Sequence, residues 1–428
     1  MIDFSLDPEF QAKVDWARAF VHKKVEPLDH LWPDPTAPYD RSLKKARAIL
    51  KPLQDEVRRQ GLWACHLDHE LGGPGYGQVK LVYINEILGR TNWGPVVFGC
   101  QGPDSGNSEI LARFGSEEQK RKYLKPLLAG EQYSCFSMTE PEGGADPTLF
   151  TCRATQDGDD WIIDGEKWYS SHANFCDFLI VMAVSDPQAP PYERASMFIV
   201  PATTPGIEFV RETGVFTETP DAKGGHPYLR YNKVRVPNSA MLGPRGKGFM
   251  VAQSRLGGGR IHHAMRTIGL VQKCLDMMGE RSQSRVLRQG PLSKIQGVQY
   301  DIADTWIALQ QFRLHVLYVS WLVDQGREDE LRLAISGLKV ATANIAKDVV
   351  WRAMHLHGSL GVSNEMPFAH MLMTAAMLGL ADGPTEVHRS VVGRLVARQY
   401  KAAEGPNPTE HLPTRRAQAL KRHPDALD

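Results

Sequence analysis

The hydrophobic and polar positions along the chain change their spacing twice. From residue 3 to about 130, apolar residues recur at helical spacing, interrupted by a Pro-rich stretch at 32–38 and a Gly-rich loop at 71–77. Because clusters of proline and glycine do not belong inside regular helices, this part is predicted to be several helices joined by loops. A further helical pattern at 107–129 is interrupted near Gly115.

From about residue 131 to 248 the apolar residues form short runs bounded by Pro, Gly or Asp. The segment 156–160, Gln-Asp-Gly-Asp-Asp, is typical of a hairpin turn between two of these runs. The runs predicted to be strands are 151–154, 161–164, 178–184, 196–200, 207–210 and 229–236. Several short strands in one region favour a small β-barrel or sandwich.

Helical spacing returns at about residue 249 and continues to about 400. Apolar residues fall on one face of three long segments, 261–278, 295–316 and 331–345, and a shorter helix is expected after Pro384. Helices of this kind bury their apolar faces in an antiparallel bundle.

The fold class that follows is α+β, in an order of regions that is uncommon. We expect an N-terminal α-helical domain at 1–130, a middle β-domain at 131–248, a C-terminal helical bundle at 249–400 and a polar tail at 401–428. The tail is expected to be weakly ordered or to lie on the surface.

The balance of charge restricts the classes of partner. Lys and Arg number 50 and Asp and Glu number 49, which gives a formal net charge of +1. Broad neutralisation of phosphates needs an excess of positive charge, so we expect no nucleic-acid partner. No apolar run approaches the roughly 18 residues of a membrane helix, so no membrane partner is expected either.

The first residues and the cysteines indicate the compartment. The start, MIDFSLDPEF, has early carboxylates and neither the basic nor the long apolar region of a secretory signal. The six cysteines are scattered without a Cys-x-x-Cys pair, which is typical of reduced thiols and not of a disulfide framework or a zinc site. We therefore expect a bacterial cytoplasmic protein with no metal site.

Two glycine-containing segments could carry chemistry. In Phe136–Asp146, FSMTEPEGGAD, Pro141 and a Gly pair force irregular backbone directly after a strand. Exposed N–H groups and hydroxyls there would suit a flat ring with polar edges, although an ordinary loop of the β-domain could have the same composition. Gly257–Gly259 is predicted to open a helix, either as an anion-binding turn or as a hinge between domains.

The first of these segments carries a resemblance to a known family. Met138-Thr139-Glu140-Pro141, followed by Asp146, resembles the M-T-E-P-x-x-G-S-D signature of the acyl-CoA dehydrogenases. Stretches that resemble other segments of that family, in the family's order, are Gly165–Ser171, Arg285–Gln296, Gly358–Gly361 and Ala381–Glu386. Details at 104–107, 259–263 and 380–384 are most similar to the subgroup called acyl-CoA dehydrogenase family members ten and eleven. The resemblance implies a middle β-barrel domain between an N-terminal helical domain and a C-terminal four-helix bundle.

The cofactor that the resemblance implies is FAD, with its isoalloxazine ring between the β-domain and the bundle. The residues carried over to the ring are Phe136, Met138 and Thr139 at its edge and Tyr169, Ser170 and Ser171 over one face. Those carried over to the pyrophosphate and adenosine of a neighbouring subunit's FAD are Arg285, Gln296, His355, Gly358 and Ser359, while Pro384 and Glu386 complete the set beside the base. A shared FAD implies a homo-oligomer, either a dimer or a tetramer.

The resemblance places the catalytic base at Asp382, where the family usually has Glu. A positioned carboxylate is needed to remove the α-proton of a thioester. Taken alone, Asp382 could instead cap the helix that begins near Pro384, and Glu386 is a rival carboxylate one turn on.

The substrate-binding positions carried over are Ala145, Arg260, His262 and Gly383. Ala145 departs from the family's usual Ser, so its contact with the thioester side should be absent. Arg260 corresponds to a family Arg that lines the acyl cavity. His262 and His263 could add positive charge there, or they could be packing histidines.

The activity that the resemblance implies is α,β-dehydrogenation of an acyl-CoA thioester to the trans-2-enoyl-CoA, with electrons passing to electron-transfer flavoprotein. The subgroup is associated with 4-hydroxyacyl-CoAs taken in phosphorylated form. Two alternatives remain open: an oxygen-using flavoenzyme on the same fold, similar to an acyl-CoA oxidase or a nitroalkane oxidase, and a non-catalytic binding member.

Overall fold

The N-terminal region of the computed structural model, which describes residues 2–34, 36–215, 225–403 and 405–426, is helical. Its helices are α1 (Pro8–Phe20), α2 (Leu28–Leu31), α3 (Lys44–Arg59), α4 (Gln78–Leu88), α5 (Gly94–Val97), α6 (Asp104–Phe114), α7 (Glu117–Gln119) and α8 (Lys125–Ala129). The break predicted near Gly115 is confirmed: α6 ends at Phe114, and Ser116 opens α7 through a capping box with Gln119.

The middle region forms a single eight-stranded sheet within the described residues. Its strands are β1 (Ser134–Ser137), β2 (Arg153–Asp157), β3 (Asp160–Lys167), β4 (Phe178–Val184), β5 (Ala195–Pro201), β6 (Ile207–Arg211), β7 (Tyr228–Pro237) and β8 (Met241–Leu242). They lie in the order β6-β7-β3-β2-β4-β5-β8, with β1 parallel to β4. The hairpin predicted at 156–160 is confirmed, since Asp157 of β2 pairs with Asp160 of β3.

The strand predicted at 151–154 begins later than expected, at Arg153. The backbone N–H groups of Thr151 and Cys152 donate to the carboxylate of Glu140 instead of to a neighbouring strand. A side chain has therefore replaced a ladder partner, which the spacing of apolar residues could not indicate.

Strand β4 is buried on both of its faces. Phe178, Ile180 and Met182 join a core that includes residues of α6 and of the helix after the sheet, while Leu179 and Val181 join a core built by β1, β2, β3, β5 and β7. A continuous apolar run is the pattern expected of a strand covered on two sides. Strands β7 and β5 are separated by β3, β2 and β4 in the sheet, yet both contribute to the core that contains Leu179 and Val181. The sheet therefore curls into a barrel-like shape.

The C-terminal region is a helical bundle. It consists of α9 (Gly248–Ser284), a short hairpin of β9 (Val286–Leu287) and β10 (Gly290–Pro291), α10 (Gln296–Asp324), α11 (Glu328–His357), α12 (Phe368–Leu378), α13 (Thr385–Ala397) and α14 (Leu412–Arg422). Helix α9 packs against α10, α11 and α4, and the N-terminal helices share one hydrophobic core with the bundle. In the described ranges, no helix combines the length and the apolar character needed to cross a membrane.

Three features of the bundle differ from the sequence prediction. Gly257–Gly259 do not open a helix or form a hinge: they lie inside α9, because packing on both sides of that helix overrides the weak helix propensity of glycine. Helix α12 was not predicted at all. The tail, predicted to be weakly ordered or on the surface, contains α14, none of whose residues is buried.

Candidate active site

Asp382 lies in the tight turn between α12 and α13. Its φ of +56° is in the left-handed region, which is uncommon for a residue other than glycine. The carbonyl of Asp382 accepts a hydrogen bond from Arg260 Nε at 2.9 Å, and the turn closes through Thr385 N–H on the Gly379 carbonyl, also at 2.9 Å. Since Pro384 is the N-cap of α13 and no side chain caps that helix, the capping role considered for Asp382 is wrong.

The carboxylate of Asp382 is mostly shielded from water and faces α9. Its side chain is 18% exposed, and Oδ2 lies 3.7 Å from His263 Nε2. A Cβ added at Gly259 would lie 3.3 Å from the same oxygen, so the glycine leaves room for the carboxylate. Glu386, the rival carboxylate, is exposed to solvent on α13.

Three cations surround this turn from two helices. Arg255 and Arg260 lie on α9 and Lys339 lies on α11, and the negative charge of Asp382 acts on each of them. Burial lowers the pKa of both guanidinium groups, against the attraction of Asp382. Arg255 also connects the turn to the β-domain, because its Nε donates to Asn107 of α6 and its guanidinium lies 4.0 Å from the centre of the Phe136 ring.

The neighbouring histidines do not contribute the positive charge that the sequence suggested. Burial lowers the pKa of His263 and lowers that of His262 well below its usual value, so both rings are neutral at pH 7. His262 packs edge-on against His66, with 6.4 Å between ring centres, and its Nε2 is buried with no hydrogen-bond partner in the described part of the chain. Within the residues that the structure describes, no group of three or more His, Cys, Asp or Glu side chains could hold a metal ion.

The segment after β1 is held rigidly by the barrel. Lys167 and Glu140 form a fully buried ion pair at 2.8 Å, and Lys167 Nζ also donates to the Met138 carbonyl at 2.7 Å. Trp168 N–H donates to the Thr139 carbonyl at 3.0 Å. The hydroxyl of Thr139 has no partner among the described residues, so it is available to a bound molecule.

In the second segment assigned to the flavin, Tyr169–Ser171, the three side chains differ in their exposure and in their contacts. Tyr169 has φ +48° and a ring that is 43% exposed, packed against Trp168 at 4.9 Å between ring centres. Ser170 is fully buried and shares its hydroxyl with Ser137 at 2.9 Å, so its side chain belongs to the barrel. Ser171 lies 2.9 Å from His226 Nδ1. Trp168 Nε1 is buried without a partner in the described ranges.

The residues assigned to the FAD tail gather at the far end of the bundle. Arg285 follows the end of α9, Gln296 begins α10 and His355 lies near the end of α11. These three side chains are exposed, as are Gly358 and Ser359 in the turn after α11. Between Arg260 and Arg285 the chain advances 25 residues along α9, which at about 1.5 Å per residue is roughly 37 Å. Arg285 therefore cannot act on a molecule bound beside Asp382 of its own chain.

The remaining predicted substrate positions are separated. Gly383 adjoins the base, and a Cβ there would meet His388 Nε2 at 3.0 Å. Ala145 is exposed in the loop after β1.

Two cations near Asp382, Arg255 and Lys339, were not among the residues predicted from the sequence. Lys339 lies four residues after Ile335 and four before Ala343, so it falls on the apolar face of α11. A cation on an apolar helix face is unusual, and this could have identified Lys339 as a candidate site residue.

Family models cover almost the whole chain. The N-terminal, middle and C-terminal domains of the acyl-CoA dehydrogenases match residues 7–131, 135–241 and 246–397. Acyl-CoA dehydrogenase family member 11 of Pongo abelii is 37% identical over 354 residues, which are 82% of this chain and 45% of that relative. The chain thus spans less than half the length of this relative. FadE2 of Mycobacterium tuberculosis, assigned as an acyl-CoA dehydrogenase, is 35% identical over 94% of both chains.

Solved structures agree with this assignment. A protein from Mycobacterium abscessus assigned as an acyl-CoA dehydrogenase is 38% identical with a TM-score of 0.84, over 93% of this chain and all of that one. A glutaryl-CoA dehydrogenase of Mycobacterium smegmatis in complex with FADH2 is 25% identical with a TM-score of 0.76, over 94% and 97% of the two chains. The predicted fold, cofactor and subgroup resemblance are confirmed. The chain belongs to the acyl-CoA dehydrogenase family of FAD-dependent oxidoreductases.

Proposed function

We propose that the chain is an FAD-dependent acyl-CoA dehydrogenase in which Asp382 removes the α-proton of an acyl-CoA thioester, giving the trans-2-enoyl-CoA. The observation that carries this proposal is the setting of Asp382: a carboxylate in a left-handed turn, mostly shielded from water and faced by cations of α9 and α11. A desolvated, positioned carboxylate is the group that proton abstraction next to a carbonyl requires.

The turn also offers donors for the thioester carbonyl. The backbone N–H groups of Asp382 and Gly383 donate to no other group in the described part of the chain. Gly383, with φ +104°, lets the chain turn so that both amides stay free of α13. Preorganised N–H groups beside the base would stabilise the negative charge that develops on the carbonyl oxygen.

The flavin ring is assigned to the space between the β1 loop and Tyr169–Ser171. The free hydroxyl of Thr139, the unpaired Nε1 of Trp168 and the exposed ring of Tyr169 fit a flat ring with polar edges. When bound there, FAD would supply the hydride acceptor that oxidation at Cα–Cβ requires. The buried Lys167–Glu140 pair fixes the Met138 carbonyl and hence the loop that these groups line.

Assembly into a homo-oligomer follows from the distance between the two ends of the bundle. Arg285, Gln296, His355 and Ser359 would bind the FAD tail of a neighbouring copy, since they are too far from their own Asp382. Large apolar side chains on α10 and α11 are exposed, namely Tyr300, Trp306, Ile307, Leu314 and Trp351. Surfaces of this kind are typical of protein interfaces.

The electron acceptor is assigned as electron-transfer flavoprotein, on the basis of the family. Six free cysteines, five of them buried, fit a reducing compartment such as a bacterial cytoplasm. If the protein is instead an oxygen-using flavoenzyme, oxygen should reoxidise the reduced enzyme rapidly. If the reduced enzyme is reoxidised by oxygen as fast as it turns over, the dehydrogenase assignment is replaced by an oxidase.

The substrate is assigned as a 4-hydroxyacyl-CoA in phosphorylated form, in keeping with the subgroup. Arg255, Arg260 and Lys339 are buried or half-buried cations, and the negative charge of Asp382 attracts each of them. Burying unbalanced positive charge is unfavourable, and a phosphate on the acyl chain would compensate for it through charge-assisted hydrogen bonds.

The test is anaerobic bleaching of the bound flavin by matched acyl-CoAs of equal length, either unsubstituted, 4-hydroxylated or 4-phosphorylated. The 4-phosphoacyl-CoA should show the highest kcat/KM, and its advantage should shrink in Arg260→Ala. Equal rates on all three would contradict the phosphate assignment and leave general acyl-CoA dehydrogenation standing. No bleaching by any acyl-CoA would contradict the proposed function itself.

A further inference from the structure

Lys339 is a buried cation in the middle of α11. Only 3% of it is exposed, and it forms no ion pair among the described residues. Burying an ammonium group is unfavourable unless hydrogen bonds and nearby charges compensate. The contacts of its Nζ therefore indicate its role.

The Nζ of Lys339 donates to the backbone carbonyl of Leu378, the last residue of α12. Carbonyls at the C-terminal end of a helix lack partners within the helix and carry partial negative charge. The ammonium therefore caps α12 from a different helix. Asp382 lies only four residues after Leu378, so this contact fixes the end of α12 at which the Asp382 turn begins.

The turn needs such support because its backbone is strained. A left-handed φ, such as the +56° of Asp382, is unfavourable for a residue other than glycine. Arg260 holds the Asp382 carbonyl and Thr385 holds the Gly379 carbonyl. With the bond from Lys339 to Leu378, three carbonyls of the segment are held by three different helices.

The charges that face Lys339 come from every element packed around it. They are Asp382 in the turn, Arg260 and His263 on α9, and His388 on α13. Burial lowers the pKa of Lys339 to about 8, against the attraction of Asp382, so the amine is still mainly protonated at pH 7. Burial also lowers the pKa of both histidines, which are neutral there. At pH 7 Lys339 is thus mainly a cation, and Asp382 is the anion that attracts it.

We propose that Lys339 is a positioning residue for the base: its ammonium anchors the end of α12, which holds the Asp382 turn in place, and it supplies a positive charge near the Asp382 carboxylate. This inference rests on the proposed role of Asp382. It predicts two separable effects, one on the order of the turn and one on the pH dependence of flavin reduction.

The test compares Lys339→Met with Lys347→Met, which removes an exposed lysine from the same helix. The rate of anaerobic flavin reduction is followed against pH, with the acyl-CoA that bleaches the flavin fastest. In Lys339→Met the acid limb of the profile should move to higher pH, because a positive charge near the proposed base is lost. Amide hydrogen exchange of residues 379–383 should become faster. Lys347→Met should behave as wild type in both measurements.

Lys339→Gln separates the two effects and serves if the Met variant does not fold. It keeps a donor for the Leu378 carbonyl but has no charge, so the acid limb should still move while exchange of the turn stays slow. If the acid limb of both variants coincides with wild type, the inference is overturned, provided that Asp382→Asn is inactive. If Asp382→Asn reduces the flavin as fast as wild type, the proposed function fails instead.

Discussion

At one end of the C-terminal bundle, Asp382 is mostly shielded from water and faces Arg260 and Lys339 of its own chain. At the other end, Arg285 and His355 are exposed and far from that carboxylate. The first end is assembled within one chain by side chains that already contact one another. The second end presents exposed polar groups, which in the proposed assembly would bind the FAD tail of a neighbouring copy. Substitutions at the first end should therefore affect the rate of flavin reduction, whereas substitutions at the second end should affect FAD retention and assembly.

The largest expected effect is at the buried end. Asp382→Asn should lower the rate of flavin reduction by about 10²–10⁴-fold, because the amide cannot accept the α-proton. The FAD content and the assembly state should remain as in wild type, since the exposed end is untouched. Rapid-reaction absorbance under anaerobic conditions measures the rate. Glu386→Gln is the matched control, and a dead Glu386→Gln with an active Asp382→Asn would transfer the role of base to Glu386.

An intermediate effect is expected at the exposed end. Arg285→Ala should weaken FAD retention about ten- to hundredfold, because a charge-assisted hydrogen bond contributes about 1.5–3 kcal/mol. The oligomer should dissociate more readily because bound FAD stabilises it. Flavin content and analytical ultracentrifugation measure the two properties, with Arg288→Ala as the control from the same exposed stretch. A monomer that retains FAD as tightly as wild type would remove the difference between the two ends.

The smallest effect sharpens the comparison within α9. Gly257→Ala should stabilise the helix by about 0.5–1 kcal/mol, which a thermal unfolding midpoint would detect, whereas Gly259→Ala should stabilise it less because its Cβ crowds the Asp382 carboxylate. Only the Cβ at 259 meets the Asp382 carboxylate, whereas nothing lies within 4 Å of one at 257. Gly259→Ala should therefore slow flavin reduction several-fold while Gly257→Ala does not. Equal rates in the two variants would show that the carboxylate shifts without consequence.

Particular residues show what the sequence could predict. The apolar run at 178–184 predicts a strand, and the structure has a strand with the same boundaries. Family-like motifs located Asp382 because they are local in sequence. The charge around it could not be read in the same way: His262 and His263 look cationic in sequence, but burial makes them neutral. Lys339 enters the site from a helix more than forty residues away in the chain, which no local pattern encodes.

Helix α9 runs without interruption from Gly248 to Ser284, past Arg260 and up to Arg285. In the proposed assembly, its length therefore sets the distance between the Asp382 turn of one copy and the FAD tail bound by another. Inserting one residue between Arg260 and Arg285 would rotate Arg285 by about 100° and shift it by about 1.5 Å along the axis. The number of residues in this helix is thus a functional constraint in its own right, separate from the identity of any residue within it.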